Sequence, residues 1–293
     1  MSALRQILRE GKRRLEEAKI SSIDAELLLA HLLGVGRMDL HARDFTLTAD
    51  EEQQLQDRFD ELISSRIDSM PVQYLTGEAA FRHITLEVGP GVLIPRPETE
   101  GLVELALIWL EKERSIDPSR RFSVVDLGSG SGAIAISLAL EGANRGIPLS
   151  LVAVEDSSEA KPWLERNIAT YREKYGESID IRLIDLPVKD ALLGVRCDLV
   201  IANPPYIPRE TTLPADVRQE PERALFGGIE GIELPIHFIE HGTRMLKPGG
   251  ALFMEHFEGQ GEALARFMNP EFSEILGHDD LNGRGRYISA RKK

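Results

Sequence analysis

The tetrapeptide Asn203-Pro204-Pro205-Tyr206 is the segment of this chain most suggestive of chemistry. Neither proline carries an N–H, so the turn is rich in acceptors, namely the Asn203 side-chain oxygen and the Pro204 carbonyl. A planar NH2 group offers two hydrogens to such a pair, and the ring of Tyr206 is suited to cover the flat group that carries it. The nitrogen of an amide or aryl amine is a poor nucleophile because its lone pair is delocalised. Acceptors that hold both N–H bonds aim that lone pair at an electrophile and stabilise the positive charge growing on nitrogen. Asn203, Pro204 and Tyr206 are therefore the expected catalytic residues, and Pro205 completes a substrate-binding turn.

A second segment, Val124-Val125-Asp126-Leu127-Gly128-Ser129-Gly130-Ser131-Gly132, reads as a buried strand running into a glycine-rich turn and then a helix. Glycines at alternate positions let backbone approach a ligand closely. By spacing alone, Gly128, Gly130 and Ala133 also satisfy the dinucleotide fingerprint, whose turn holds a pyrophosphate at a helix N-terminus. Asp126 shifts the balance, because a carboxylate at the strand end suits a ligand with a cationic amine and a sulfonium better than a pyrophosphate. S-adenosylmethionine is the expected cofactor. Glu155, at the next strand end, is placed to accept hydrogen bonds from two ribose hydroxyls, and Asp185, after the third strand, to meet an adenine amino group. No metal site is expected.

These residues need elements to position them. Beyond Pro97 helical and strand patterns alternate: a helix from Thr99 to Trp109, strands at Ser123–Asp126, Leu151–Glu155, Ile181–Ile184 and Leu199–Ala202, further strands near Ala251–Met254 and Arg286–Ala290, with helices between. That alternation predicts an α/β fold with a parallel, doubly wound sheet and ligands at the carboxyl ends of its strands. The first seventy or so residues instead read as helices alone. Leu4, Ile7, Leu8 and Leu15 share a face, Ala25 to Leu33 is ended by Gly34, and Thr48 with Glu51 has capping-box spacing ahead of Leu55, Phe59, Leu62 and Ile63. Between the two textures, Phe81, Ile84, Leu86 and Val88 followed by Gly89-Pro90-Gly91 and Val92-Leu93-Ile94 predict a hairpin turning at the glycines. The expected organisation is a helical domain over 1–72, a β-hairpin linker over 73–96 and a catalytic domain over 97–293.

Composition narrows the partners. The chain has 293 residues, 35 Lys+Arg against 48 Asp+Glu and a net charge of −13, a balance that repels polyanions, so direct nucleic-acid binding is not expected. The single cysteine, Cys197, can neither close an intrachain disulfide nor supply a multi-thiolate zinc site, and fits a reducing compartment. The longest nearly apolar stretch, Leu27 to Val35, is far short of the roughly 20 residues that span a bilayer. Arg5, Arg9, Lys12, Arg13 and Arg14 are interrupted by Glu10, Glu16 and Glu17 and read as a solvated helix face rather than a transit peptide. A cytoplasmic monomer is expected.

Taken together, the motifs resemble those of the HemK/PrmC family of protein-(glutamine-N5) methyltransferases that act on peptide chain release factors. The resemblance runs over nearly the whole chain: Pro71-Val72-Gln73-Tyr74-Leu75-Thr76-Gly77, Val92-Leu93-Ile94-Pro95-Arg96-Pro97-Glu98-Thr99-Glu100, the glycine loop, Asn203-Pro204-Pro205-Tyr206-Ile207 and Asp280-Leu281-Asn282-Gly283. It implies a class I S-adenosylmethionine-dependent methyltransferase, a Rossmann-like doubly wound sheet with a small N-terminal helical bundle that docks a class-1 release factor. The substrate it implies is the glutamine of a Gly-Gly-Gln loop, methylated on its side-chain nitrogen. It further implies that Gly128, Ser129, Gly130, Ser131, Gly132 and Glu155 hold the cofactor, that Leu186 stands where an aromatic adenine wall is usual, that Asn203 with Pro204 grips the glutamine amide, and that Arg96, Glu98 and Glu100 line or brace the pocket mouth. Asn203 also falls within reach of the cofactor site. Glu155 replaces the usual Asp, and His83 stands where a glycine is common. The main rival is an adenine-N6 DNA methyltransferase, which presents the same planar NH2 to the same turn but calls for a basic cleft and a sizeable target-reading domain.

Overall fold

The computed structural model describes residues 3 to 293, which form two compact units, one running through Glu78 and including Leu213–Gln219, the other comprising Ala79–Thr212 and Glu220–Lys293. The smaller unit is helical. Its helices Ala3–Glu17, Ile23–Leu33 and Ala49–Ile67 bury Leu15, Leu28, Leu29, Phe59 and Ile63. Two of their ends are set by local chemistry: Gly34 adopts φ 65° as a left-handed cap, and Thr48 and Glu51 form a reciprocal capping box. Several of the basic residues near the start are paired with acids: Arg13 with Glu10 and Glu17, and Arg14 with Asp60 at 2.6 Å.

The larger unit is built on a seven-stranded sheet: β1 (Phe122–Leu127), β2 (Leu149–Val154), β3 (Ile181–Ile184), β4 (Cys197–Ala202), β5 (Leu246–Glu255), β6 (Phe272–Asp279) and β7 (Gly285–Lys292). Their spatial order is β6-β7-β5-β4-β1-β2-β3. The pairs β1–β2, β1–β4, β2–β3 and β4–β5 are parallel, whereas β7–β5 and β6–β7 are antiparallel. The sheet is thus mixed, and the expectation of a wholly parallel one is corrected at this edge. β6 escaped the sequence because it alternates weakly, with only Phe272 fully buried, and takes its register from β7. One core face gathers Val125, Leu127, Val154, Val200, Phe238, Ile239, Leu252, Met254 and Ile288. The order reverses between β1 and β4, so the carboxyl ends of β1, β2 and β4 open on one crevice.

The hairpin ahead of the sheet turns elsewhere than expected. Its strands are Glu78–Phe81 and Ile84–Glu87, joined at Arg82-His83, with Arg82 at φ 50°. Nothing in Arg-His announces such a turn; tertiary contacts impose it. Arg82 Nη2 donates to Glu104 at 2.7 Å and to Glu141 at 2.6 Å, and its backbone N–H donates to Glu100 at 2.9 Å. Gly89-Pro90-Gly91 instead allows close packing, since a Cβ on Gly89 would meet the Trp163 ring at 2.5 Å.

Candidate active site

A cavity of about 370 Å³ opens at the carboxyl ends of the strands. Its lining includes Gly128, Ser129, Gly130 and Ser131 from the loop after β1, Glu155 after β2, Leu186 after β3, and Asn203 and Pro205 after β4. Four segments distant in sequence therefore meet here because parallel strands end on the same edge.

The glycine loop is tied down on its outer side. Gly128 and Ser129 N–H groups donate to the Val154 carbonyl at 2.9 and 3.0 Å, and Asn167, itself buried, donates from Nδ2 to the Ser131 carbonyl at 2.9 Å and to that of Glu87 at 3.0 Å. Asn167 thus staples the loop to the hairpin, a role that no motif in the sequence signals. Gly130 has φ 54° and nothing within 4 Å of where a Cβ would stand, leaving backbone bare toward the cavity. Gly132 does a different job: a Cβ there would meet Leu164 at 2.8 Å, so it serves the entry into helix Ala133–Asn144 and does not line the cavity.

Two acids sit at the carboxyl ends of the first two strands, Asp126 inside β1 and Glu155 just past β2. Glu155 accepts the N–H groups of Gly130 and Ser157, each at 2.8 Å, one on each carboxylate oxygen. Burial nonetheless pushes its pKa up. Each oxygen retains a lone pair for a diol. Asp126 is fully buried, and neither of its oxygens makes a hydrogen bond within ordinary distance and angle among the described residues. Burial, with the nearby Glu155 charge, raises its pKa to about 7. An unsatisfied carboxyl of this kind costs about 1–3 kcal/mol, and Asp126, with no exposed surface, is not part of the cavity lining. The Gly130 turn, its N–H committed to Glu155 but no side chain in the way, and the remaining Glu155 lone pairs fit S-adenosylmethionine at the cavity. Asp185 falls outside this group: its carboxylate pairs with Lys161 and is not part of the lining, while Leu186 next to it is.

The turn after β4 is held by a chain of hydrogen bonds. Asn203 Nδ2 donates to Thr99 Oγ1 at 2.9 Å, Thr99 Oγ1 donates to Glu255 Oε2 at 2.7 Å, and the Tyr206 hydroxyl donates to Glu255 Oε1 at 2.7 Å. Asn203 therefore spends its NH2 on Thr99 and keeps its oxygen as an acceptor. No donor among the described residues reaches the Pro204 carbonyl. Pro204 is itself buried, and Tyr206, expected to cover the planar group, is absent from the lining and points its hydroxyl at Glu255, which with burial raises its own pKa. Glu255 has 0% exposure; burial pushes its pKa up, against the pull of its two hydroxyl donors. Neither Thr99 nor Glu255 was singled out from the sequence, although Glu255 ends the apolar run Ala251-Leu252-Phe253-Met254, as Glu155 ends its own.

The charged residues of the linker divide their work. Arg96 lines the cavity and pairs with buried Glu220, which also accepts the Ile94 N–H at 2.9 Å. Glu98 and Glu100 brace: the Glu98 carbonyl accepts the Tyr287 hydroxyl, and Glu100 holds Arg82. Cys197 is buried in the core, its thiol pushed up to about 12 by burial, and takes no part. Among the described residues, His237, Glu240 and His241 bring potential metal-ligand atoms within 4.8 Å, but Arg244 Nε donates to His241 Nδ1 at 3.2 Å, engaging a lone pair an ion would need.

The strand order, the glycine loop after β1, the acid after β2 and the acceptor turn after β4 define a class I S-adenosylmethionine-dependent methyltransferase. Residues 6–77 match the family model of the PrmC N-terminal domain, and residues 103–204 match a model described as lysine methyltransferase. The chain is 39% identical to the release factor glutamine methyltransferase of Bifidobacterium longum, over 97% of this chain and 98% of that one. It is 37% identical to the protein of the same name from Streptomyces coelicolor (97% and 96% covered) and 34% identical to that from Salmonella typhimurium (97% and 97%). The chain belongs to the release factor glutamine methyltransferase family.

Proposed function

We propose that this protein transfers the methyl group of S-adenosylmethionine to the side-chain amide nitrogen of the glutamine in the Gly-Gly-Gln motif of class-1 peptide chain release factors. The observation that carries the reading is the Asn203 amide, whose oxygen is left as an acceptor at a cavity that the glycine loop and Glu155 also line. When bound, S-adenosylmethionine supplies an electrophilic methyl on a sulfonium. Gly130 and Glu155, which line the cavity, would hold the cofactor, and Asp126, buried outside that lining, would add negative potential near its cationic portion. Asn203 Oδ1 and the Pro204 carbonyl take the two N–H bonds of the glutamine amide and aim the nitrogen lone pair at the methyl carbon. Held by both N–H bonds, the nitrogen would take the methyl with its positive charge stabilised between Asn203 Oδ1 and the Pro204 carbonyl, and its extra proton would pass to water. No strong general base is required.

The reading extends to the rest of the chain. Residues 1–72 dock the release factor, 73–96 link, and 97–293 catalyse; the protein acts as a cytoplasmic monomer without direct nucleic-acid contact. No helix among the described residues is long and apolar enough to cross a membrane. Incubation with methyl-labelled S-adenosylmethionine and, in separate reactions, purified release factor, the same factor with its Gly-Gly-Gln glutamine replaced, and duplex DNA tests the proposal. Label is expected only in the intact factor; label in DNA alone overturns the assignment.

A further inference from the structure

We propose that Thr99 and Glu255 are positioning residues that decide which end of the Asn203 amide faces the substrate, and so make this subsite selective for an NH2 group. The inference rests on the methyltransferase reading above and deepens it. An Asn side chain is nearly symmetric in shape, and its oxygen and nitrogen exchange places by a half-turn about one bond. Something must forbid the flipped form, because a flipped amide would present N–H to an N–H. The hydrogen-bond chain supplies that restraint.

Glu255 is fully buried and accepts from both hydroxyls that touch it, one on each oxygen: Thr99 Oγ1 at 2.7 Å and Tyr206 at 2.7 Å. With its one proton committed to Glu255, Thr99 can only accept from Asn203, at 2.9 Å. Asn203 must then turn its NH2 toward Thr99 and its oxygen toward the cavity. The polarity of one buried carboxylate is thus transmitted across two hydrogen bonds to the reacting subsite, and the same carboxylate pins the far end of the turn through Tyr206. The assembly joins the end of β5, the turn Pro97–Thr99 and the loop after β4. It also sets substrate choice: an acceptor-only grip repels a glutamate side chain in the place of glutamine.

The test compares Glu255→Gln and Thr99→Val with the wild-type protein, using release factor that carries either glutamine or glutamate at the methylated position. Binding of each factor, turnover and cofactor affinity are measured separately. In Glu255→Gln the new amide can donate to Thr99, freeing the Thr99 proton for Asn203 and allowing the flip. Binding preference for glutamine over glutamate is expected to shrink by at least about tenfold and kcat to fall about 30-fold or more, with cofactor Kd within about threefold of wild type. Thr99→Val, close in shape and lacking the hydroxyl, is expected to lose kcat and preference likewise, while Thr99→Ser keeps both within about threefold. A variant that binds both factors equally more weakly, or that keeps wild-type preference and turnover, overturns the proposal. Should Glu255→Gln fail to fold, the Thr99 pair decides alone. Failure of the wild-type protein to label any release factor would instead count against the assigned activity.

Discussion

Asp126 and Asp198 stand on paired strands, β1 and β4, both almost wholly buried, and their surroundings are opposite. Asp198, near the amino end of β4, accepts from Arg120 at 2.8 Å, from the Ser123 N–H at 2.8 Å and hydroxyl at 2.7 Å, and from Lys247 at 3.0 Å. Those donors overcome the cost of burial and hold it down to about 2. Asp126, at the carboxyl end of β1, has no such partners and is raised to about 7. One edge of the sheet neutralises its charges internally. The other leaves Asp126 unmet, and the cavity lies at that edge. Between these two aspartates the difference lies in their partners, not in their burial.

The contrast can be broken first at the acceptor turn. Asn203→Ala is expected to lower kcat by about 10²–10³-fold, the cost of removing one well-placed transition-state partner, with cofactor Kd nearly unchanged by calorimetry. At the opposite edge Asp198→Ala should destabilise the fold by about 2–3 kcal/mol in urea unfolding, below the roughly 3–5 kcal/mol of a fully buried pair because Arg120 and Lys247 keep access to water. Turnover per folded molecule should hold. A large loss of kcat in folded Asp198→Ala would erase the distinction between the two edges.

Smaller effects sharpen it. Glu155→Ala should weaken cofactor binding about tenfold before it touches kcat, since it removes both the diol acceptor and the brace on Gly130. Asp126→Asn should stabilise the ligand-free protein by about 1–2 kcal/mol at pH 8 while weakening cofactor binding, because it relieves an unpaired buried charge that the ligand would otherwise meet. The pH dependence of the two aspartates has opposite sign. Asp198, depressed to about 2 in the fold, contributes stability above about pH 4 that is lost as pH falls toward 2. Asp126, raised to about 7, holds its proton longer in the folded state, so ligand-free stability declines as pH rises from about 4 to 7, and Asp126→Asn should flatten that decline in urea midpoints taken across the window.

Much of the site was legible because its parts are backbone chemistry written locally. Alternating glycines after an apolar run require an exposed backbone turn wherever the strand lies, and two successive prolines leave a turn without donors in any fold. The acids Asp126 and Glu155 were readable from their place at the ends of apolar runs. The hairpin turn was not, since Arg82 adopts its left-handed conformation under the hold of Glu100, Glu104 and Glu141, which lie 18 to 59 residues away. Asp185 shows the converse: an acid at the right strand end whose charge is taken up by Lys161 from a neighbouring helix.

By itself the sequence determined the α/β order, the glycine loop, the acceptor turn and hence the kind of group each could hold, because those depend on covalent features of consecutive residues. The tertiary structure alone decided the antiparallel edge, the staple from Asn167, and the path from Glu255 through Thr99 that orients Asn203. The physical reason is that hydrogen-bond direction belongs to no single residue: an amide or a hydroxyl points according to what it meets, and Thr99 meets Glu255 across 156 positions of chain.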